Sequence, residues 1–430
     1  MNARITQATL LDESNEHHGN QVDIRIENGI ITEIASSLDP KNGEEQLQFE
    51  NLIVSAGWFD SSVSIGEPGY EERETILNGL KVAAKSGFTS IAVNPNTLPV
   101  TDTNAAVSFL KNKAAGNAVA LYPIGALTRN AEGIDLAELY DMQQAGAVAF
   151  GDYQHSISNP NLIKIALQYA QGFDGLVLSF PQENDLIIKG VANEGETAIK
   201  LGLKGIPALS EHIQVARDLY ILEYTGGKLH IPTISTAQSV ALIKEAKAKG
   251  LDVTCSVAIA NLFYTEEVLE DFDTRYKVLP PLRTETDRQA LIAAIKEGTI
   301  DMVTSDHNPL DIELKKLEFD HAKFGTIAQE ATLGALLTLV SEERAVKLLT
   351  AGSERFTGTT SKIEIGQPAN LSLFTANGTS VFGKEDIRSK SKNSAFLGAQ
   401  LKGKVYGIFA NNQFIAVSYT HLTLPTKRIV

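Results

Sequence analysis

Two carboxylates in this sequence stand where chemistry is expected, each just after a short apolar run. Asp152 follows Phe150 and a glycine, and Asp306 is followed directly by His307. A carboxylate beside a histidine at the end of a strand can act as a general base or a metal ligand. We take Asp306 as the base candidate and His307 as a substrate-binding candidate. A structural role, with Asp306 capping its loop and His307 packing locally, stays open.

The elements that must position these residues are apolar runs alternating with amphipathic windows. The runs occupy 58–65, 89–93, 118–124, 147–150, 175–180, 228–234, 252–257 and 301–304. The window 72–85 places Ile76, Leu80 and Ala83 on one helical face and is followed by Gly87, a suitable C-cap residue. Such strand–helix units over roughly 280 residues predict an α/β protein with a (β/α)8 TIM barrel, whose active site gathers at the C-terminal ends of the strands.

The flanks of the chain have a different pattern. Residues 1–55 and 362–416 are rich in β-branched alternation, with Asn28-Gly29 and Asn411-Asn412 as hairpin turns. We therefore predict a small composite β domain from 1–55 plus 362–416, and a barrel domain at 56–361. The segment 417–430 resembles the translation of a sequencing adapter and is expected to be a non-native tail.

Composition narrows the classes of function. The 430 residues are 43% hydrophobic and 21% charged, which is ordinary for a globular protein with a large core. The net charge of -14 disfavours binding to nucleic acid or to an anionic membrane surface. A single cysteine, Cys255, rules out an internal disulfide framework and fits a reducing compartment. No apolar run approaches the ~18 residues of a membrane helix. We expect a cytoplasmic protein without nucleic-acid or membrane partners.

A series of motifs, in order along the chain, resembles the class I dihydroorotases of the amidohydrolase superfamily. The motifs are Gly57-Trp58-Phe59-Asp60, Glu67-Pro68-Gly69, Asn94-Pro95-Asn96-Thr97, Ser235-Thr236, Lys277-Val278-Leu279-Pro280-Pro281-Leu282-Arg283 and Ser305-Asp306-His307-Asn308-Pro309. The resemblance spans about 50 to 340. It implies a metallo-dependent-hydrolase barrel with a composite β domain, and hydrolysis of a cyclic amide in pyrimidine biosynthesis.

That family resemblance also implies a binuclear zinc site, which this sequence does not match. The histidine positions of the site fall on Ser62, Ser64, Phe180 and Thr233, and only the carboxylates remain, as Asp152 and Asp306. A neutral hydroxyl is a poor zinc ligand, and a phenyl ring cannot bind zinc. Without zinc, no hydroxide nucleophile forms at neutral pH. We therefore predict that zinc binding is lost and that no cofactor is bound.

The residues implied to hold the substrate carboxylate are also changed. The arginine, asparagine and histidine of the family fall on Gly66, Asn96 and Leu310, and an asparagine before Pro280 falls on Leu279. Asn96 alone is retained as a substrate-binding candidate. Loss of metal and carboxylate contacts together indicates that catalysis has been abandoned.

The favoured hypothesis is a catalytically inactive dihydroorotase-like protein that serves as a structural partner of aspartate transcarbamoylase. The family resemblance also implies that the barrel can pair as a homodimer, although the sequence alone does not give the oligomeric state. The alternative is an active cyclic amidohydrolase with an oxygen-ligand site for Mg²⁺ or Mn²⁺, built from Asp60, Asp152 and Asp306. A ligand-sensing module is a third class. His230 stands three residues before Thr233, and strand alternation predicts that it faces outward, away from the barrel interior.

Overall fold

The computed structural model describes residues 1–417, which contain strands and helices in alternating order through the middle of the chain. The strands are β1 Ala3–Leu11, β2 Gln21–Glu27, β3 Ile30–Ala35, β4 Glu45–Leu47, β5 Ile53–Ala56, β6 Trp58–Val63, β7 Phe88–Val93, β8 Ala120–Gly125, β9 Ala149–Phe150, β10 Leu176–Leu178, β11 Ala192–Asn193, β12 Gly205–Ile206, β13 Lys228–Ile231, β14 Val253–Ala258, β15 Met302–Thr304, β16 Leu371–Val381, β17 Gln400–Ala410 and β18 Gln413–Ala416.

The helices follow the strands in the manner of a barrel. They are α1 Ile76–Lys85, α2 Asn104–Ala114, α3 Leu139–Ala145, α4 Pro160–Ala170, α5 Asn184–Ile187, α6 Glu196–Leu201, α7 Ala208–Thr225, α8 Ala237–Ala248, α9 Ile259–Phe263, α10 Glu285–Glu297, α11 Gln329–Leu336 and α12 Glu342–Thr357. Helix α1 begins after Thr75, whose side chain accepts the backbone N–H of Asn78, and it buries Ile76, Leu80 and Ala83. None of the helices within 1–417 is both long enough and apolar enough to span a bilayer.

Eight parallel strands form the barrel sheet in the order β15-β14-β13-β10-β9-β8-β7-β6. Its first and last strands approach each other through a parallel bridge between Val63 and His307. The backbone N–H of Ser64 donates to the carbonyl oxygen of His307 at 2.8 Å. The (β/α)8 barrel predicted from the sequence is confirmed, because contacts between the ends of the sheet leave a nearly closed ring.

Both ends of the chain contribute to a second sheet. Its strand order is β18-β17-β16-β5-β1-β2-β3, with β4 paired to β1. Strand β16 pairs antiparallel with β5, which leads directly into the first barrel strand. This sheet encloses its own apolar cluster, which includes Ile5, Ile24, Leu371 and Phe409. The extra β domain is therefore present, while the predicted boundaries at 55 and 362 stay predictions. The predicted tail lies outside the described residues except for Val417.

His230 corrects one prediction from the sequence. Leu178, the residue that pairs with His230 on the neighbouring strand β10, belongs to the apolar cluster inside the barrel. The imidazole ring of His230 also packs on Phe356 of this cluster, with 5.4 Å between the ring centroids. The prediction that His230 faces outward is wrong. Strand β13 ends at Ile231, and Thr233 has a positive φ of 48°. Alternation counted back from Thr233 therefore crosses a break in the strand and assigns the wrong face.

Candidate functional site

The mouth of the barrel, at the C-terminal ends of its strands, holds the residues singled out from the sequence. A small cavity there is lined by Ser61, Ser62, Asn94, Ile124, Gly151, Asp152, Tyr153, Leu178, Phe180, Pro232, Thr233 and Asp306. Its volume is about 20 Å³. A single water molecule needs a cavity of about 10 to 15 Å³. The mouth is thus filled by the side chains of the chain itself, with room for about one water molecule.

Hydroxyl and amide groups form a connected hydrogen-bond network at this point. The Ser62 hydroxyl donates to Oδ1 of Asp306 at 2.8 Å. Nδ2 of Asn94 donates to the Ser62 and Ser64 hydroxyls at 3.1 and 3.3 Å. Nδ2 of Asn96 donates to the Ser64 hydroxyl at 3.0 Å. Strands β6, β7 and β15 are therefore joined through neutral donors and one carboxyl group.

Tyr153 completes the network from the strand-four side. Its hydroxyl donates to Oδ1 of Asp306 at 3.3 Å. Its backbone has a φ of 56°, a conformation that is uncommon for a residue with a side chain. Burial raises the pKa of Asp306 to about 7, and the nearby charge of Asp60 acts in the same direction. Burial also raises the pKa of the Tyr153 hydroxyl well above its ordinary value. The centre of the mouth thus disfavours negative charge.

Asp152 lines the same cavity but is held by the loop that follows β8. Its Oδ1 accepts the backbone N–H of Thr128 at 3.0 Å, and its Oδ2 accepts the Thr128 hydroxyl in a very short contact. Burial raises the pKa of the Asp152 carboxyl. On its outer side, Asp152 also borders an open cleft of about 530 Å³ that includes Asn96 and His155. Its carboxylate oxygens therefore already have donors within the chain.

Asp60, one of three proposed oxygen ligands of the alternative hypothesis, lies behind the mouth and does not line it. It is fully buried, and its Oδ1 accepts the Thr304 hydroxyl at 2.6 Å and the Ser305 backbone N–H at 3.1 Å. Its Oδ2 accepts the Ser305 hydroxyl and Nε2 of Gln329 at 3.1 Å. Burial raises the pKa of Asp60, although the hydrogen bonds from these donors act to lower it. Asp60 joins the first barrel strand to the last.

His307 turns away from the cavity towards helix α11. Its Nδ1 accepts the backbone N–H groups of Ala328 and Gln329 at 3.3 and 3.4 Å. These are donors at the beginning of the helix, which have no partner within it. Burial lowers the pKa of His307 to about 4. His307 thus acts as a neutral cap of a buried helix. It is not among the residues that line the cavity at the mouth.

Two of the four positions expected to hold histidines are occupied without any ligand atom suited to zinc. Phe180 is buried and packs with Ile206 and Leu279 in a small apolar cluster. Thr233 is buried, and its backbone N–H donates to the Ser256 hydroxyl at 3.1 Å. His230 is engaged nearby through Thr254 and Ser256 at 2.9 and 3.2 Å from its ring nitrogens. Burial lowers the pKa of His230 well below its ordinary value, so the ring is neutral.

The substrate positions implied by the resemblance are closed by the backbone or by apolar packing. A Cβ atom built on Gly66 would lie 2.0 Å from the carbonyl oxygen of Tyr70, so this backbone has no space for the arginine side chain of the family. Leu310 is buried, and its backbone N–H donates to Oδ1 of Asn393 at 3.3 Å. Asn96 does border the mouth, but its amide already donates to Ser64.

The donors at the mouth do not fit a zinc centre. Zinc in proteins is bound by imidazole, thiolate and carboxylate groups, with at least three protein ligands. Around this cavity the anionic groups are Asp152 and Asp306, and no imidazole lines it. Within residues 1–417, no group of three or more His, Cys, Asp or Glu residues is arranged to hold a metal ion.

Two residues of the network were missed by the sequence reasoning as site residues. Asn94 opens a quoted motif but was not assigned a role, although its position at the end of β7 was a usable signal. Tyr153 follows Asp152 directly, and only its positive φ turns its side chain to Asp306. That backbone conformation has no signature in the residue types.

The fold defines a class of protein, a (β/α)8 barrel with an appended β domain. The L-hydantoinase (dihydropyrimidinase) from Arthrobacter aurescens superposes with a TM-score of 0.84 at 20% identity, covering 97% of this chain and 96% of that one. A D-hydantoinase superposes with a TM-score of 0.82 at 21% identity over 97% and 95% of the two chains. At this identity the likeness shows the fold alone.

Sequence relatives give the particular family. A family model described as dihydro-orotase-like matches residues 51–239. Dihydroorotase from Geobacter metallireducens is 37% identical over 391 residues, which cover 89% of this chain and 92% of that protein. Dihydroorotase from Acetivibrio thermocellus is 38% identical over 402 residues, covering 92% and 94%. The chain belongs to the dihydroorotase family, as its motifs predict.

Proposed function

We propose that this chain is a noncatalytic member of the dihydroorotase family that acts in pyrimidine biosynthesis as a structural partner of aspartate transcarbamoylase. The observation that carries the first part is the hydrogen bond from Ser62 to Asp306. Two positions that would bind metal in an active relative instead satisfy each other at 2.8 Å. Because the Ser62 hydroxyl donates directly to the Asp306 carboxyl group, no metal ion is needed to bridge these two side chains.

The requirements of the reaction support the same proposal. Opening a ring amide needs a hydroxide nucleophile and polarisation of the carbonyl oxygen, both of which zinc supplies in metal-dependent hydrolases. Here Asp306 is the one candidate base, and it accepts two hydrogen bonds in a cavity of about 20 Å³. Pockets that bind small molecules enclose about 300 to 1,000 Å³. Tyr153 and Phe180 line the same small cavity as Asp306, which leaves no room for a cyclic substrate beside that carboxyl group.

The partner assignment rests on the family resemblance and on the intact barrel. The apolar core runs continuously around the barrel, and the strand ends are joined by well-formed hydrogen bonds. A barrel that keeps its fold while its donors change is suited to an assembly role. The alternative, an active hydrolase with Mg²⁺ or Mn²⁺, would require Asp60 to leave its donors on Thr304, Ser305 and Gln329.

Reconstitution tests the proposed partnership. The chain and the aspartate transcarbamoylase of the same organism are purified separately and mixed, and transcarbamoylase activity is measured with and without the chain. We expect one co-eluting complex and a transcarbamoylase that is less active or less stable alone. A transcarbamoylase that elutes alone and is fully active without the chain would overturn the partner assignment. A catalytically complete dihydroorotase replaces the chain in the control, to separate a family effect from a specific one.

A further inference from the structure

Helices α1 and α11, strands β16 and β17 and the loop 382–388 enclose a cavity that shares no lining residue with the mouth. We name it the α1–β17 cavity. Its volume is about 150 Å³, and Lys85, Arg388 and Lys404 supply its cationic groups. This volume is about ten times the space that a single water molecule needs. The cavity is therefore large enough for a group of the size of a phosphate, which has five non-hydrogen atoms.

Positive charge predominates around this cavity, although the whole chain has a net charge of -14. The elements that enclose it carry six cationic and three acidic side chains. The cations are Lys81, Lys85, Lys384, Arg388, Lys402 and Lys404, and the acidic residues are Glu330, Glu385 and Asp386. Of the three acidic residues, Glu385 does not line the cavity. Such a local excess of positive charge raises the local concentration of small anions.

The cations that line the cavity are not neutralised by acidic groups of the chain. Lys85, Arg388 and Lys404 take part in no ion pair within residues 1–417. Nζ of Lys85 donates to the carbonyl oxygen of Val417 at a long 3.5 Å. Burial lowers the pKa of Lys85, and the like charges of Arg388 and Lys81 act in the same direction. An anion among these groups would relieve their mutual repulsion.

The two carboxyl groups that do line the cavity bind backbone donors of the loop 382–389. Oε1 of Glu330 accepts the backbone N–H groups of Arg388 and Ser389, both at 3.0 Å. Burial raises the pKa of the Glu330 carboxyl group, which favours its neutral form. Oδ2 of Asp386 accepts the backbone N–H of Gly383 at 2.8 Å. These contacts hold the backbone that carries Arg388, and they leave its guanidinium group available to a ligand.

The lining groups match a phosphate ester. Such a group carries about -1.5 to -2 charges at pH 7 and three strong acceptor oxygens. Ammonium and guanidinium groups bind phosphate through charge-assisted hydrogen bonds, and the Ser380 hydroxyl adds a neutral donor to the same cavity. Phe382 and Leu401 line it as well and are both 5% exposed. They provide an apolar wall for the carbon atoms of a small organic phosphate.

We propose that the α1–β17 cavity binds the phosphate group of a small phosphorylated molecule, held by Lys85, Arg388 and Lys404. The inference is independent of the proposed function, because none of the lining residues belongs to the mouth. Its failure would leave the noncatalytic assignment unchanged.

Calorimetric titration of the full chain at constant ionic strength tests the site, with methyl phosphate and inorganic phosphate as probes. We expect one site per chain for methyl phosphate. The double variant Lys85→Met with Arg388→Met should bind it roughly tenfold more weakly or worse, since charge-assisted hydrogen bonds are lost. The matched control, Lys164→Met with Lys296→Met, removes two cations elsewhere and should bind like the wild type.

Three results of this titration would overturn the proposal. The first is a wild type that shows no saturable binding of methyl phosphate. The second is equal weakening in the two double variants, which would reflect net charge and not a site. The third is binding of inorganic phosphate alone, which would contradict a phosphate ester as the ligand.

Amine labelling of the unchanged chain keeps the test decisive if the double variant does not fold. The lowered pKa of Lys85 gives it a larger share of reactive free amine. Methyl phosphate is expected to slow the acetylation of Lys85 and Lys404 by an N-hydroxysuccinimide ester, followed by peptide mass spectrometry. Lys296 on α10 is the control and should react at the same rate with and without the ligand. Unchanged labelling of Lys85, or equal protection of all three lysines, would contradict a site in this cavity.

Discussion

The Ser62 hydroxyl and Oδ1 of Asp306 lie 2.8 Å apart and join the first barrel strand to the loop after the last one. In the dihydroorotase family the corresponding positions are implied to share zinc. Here a hydrogen bond between two side chains links the same strands, supported by Asn94 and Tyr153. We therefore expect the stability of the mouth to depend on the protonation of Asp306.

Stability should fall as Asp306 ionises. Burial raises its pKa from 3.8 to about 7, so the folded state binds the proton more tightly than the unfolded chain. That contribution is complete below about pH 4 and is lost as the pH rises through about 7. It is at most about 4 kcal/mol, since one pKa unit corresponds to about 1.4 kcal/mol. Asp306→Asn should remove this dependence.

Urea unfolding at pH 4.5 and 7.5 measures the effect. The stability of the wild type relative to Asp306→Asn should decrease between the two pH values. Ser108→Ala on α2, remote from the mouth, is the control and should follow the wild type. Parallel pH curves for wild type and Asp306→Asn would show that Asp306 titrates normally.

His307 should have the opposite dependence on pH. Burial lowers its pKa from 6.5 to about 4, so its stabilising role is present above pH 6.5 and is lost as the pH falls towards 4. His307→Ala leaves the backbone N–H groups of Ala328 and Gln329 without their acceptor, which should cost about 1 to 3 kcal/mol at pH 7. The acid dependence between pH 6.5 and 4 should also become weaker. Thermal unfolding across this range checks both effects, and an unchanged melting temperature would contradict the capping role.

Phe180 should contribute packing where the family binds metal. It lies with Ile206 and Leu279 in an apolar cluster, so Phe180→Ala should reduce the free energy of unfolding by about 3 to 5 kcal/mol. Phe180→Leu keeps much of the volume and should cost less than about 1.5 kcal/mol. Equilibrium denaturation distinguishes the two variants. Equal stabilities would mean that the ring is not packed in solution.

Restoring the donors should restore metal binding. The variant Ser62→His, Ser64→His, Phe180→His and Thr233→His supplies four imidazoles beside Asp152 and Asp306, and adding Tyr153→Gly vacates the mouth. Zinc is expected to raise the melting temperature of this variant, because a ligand that binds only the folded state stabilises it. Zinc should leave the melting temperature of the wild type unchanged. The same variant with Asp152→Asn and Asp306→Asn is the control. A zinc-dependent rise in the melting temperature of the wild type would show that its mouth still binds the metal.

The sequence predicted the barrel well because apolar runs and amphipathic windows report burial directly. The last barrel strand was expected at 301–304 and is Met302–Thr304. Local irregularities of the backbone limited the prediction of where individual side chains point. The outward assignment of His230 failed because β13 ends before Thr233, and Tyr153 reaches Asp306 through a positive φ. Neither backbone feature follows from residue types.

The chemical character of the mouth was predictable only in part. Residue types alone showed that Ser62, Ser64, Phe180 and Thr233 are poor ligands for zinc. Where the remaining groups turn depends on long-range contacts. Asp60 binds Thr304 and Ser305, which are far from it in sequence, and His307 caps a helix that begins at Gln329. Such pairings are set by tertiary packing.

Metal content and turnover, measured on one preparation, decide whether this chain is a noncatalytic member of its family. The full chain is incubated with Zn²⁺, freed of excess metal, analysed for bound zinc and assayed for interconversion of dihydroorotate and carbamoyl aspartate. We expect no stoichiometric zinc and no turnover above a buffer control. One or two equivalents of bound zinc with turnover that is lost in Asp306→Ala would contradict it.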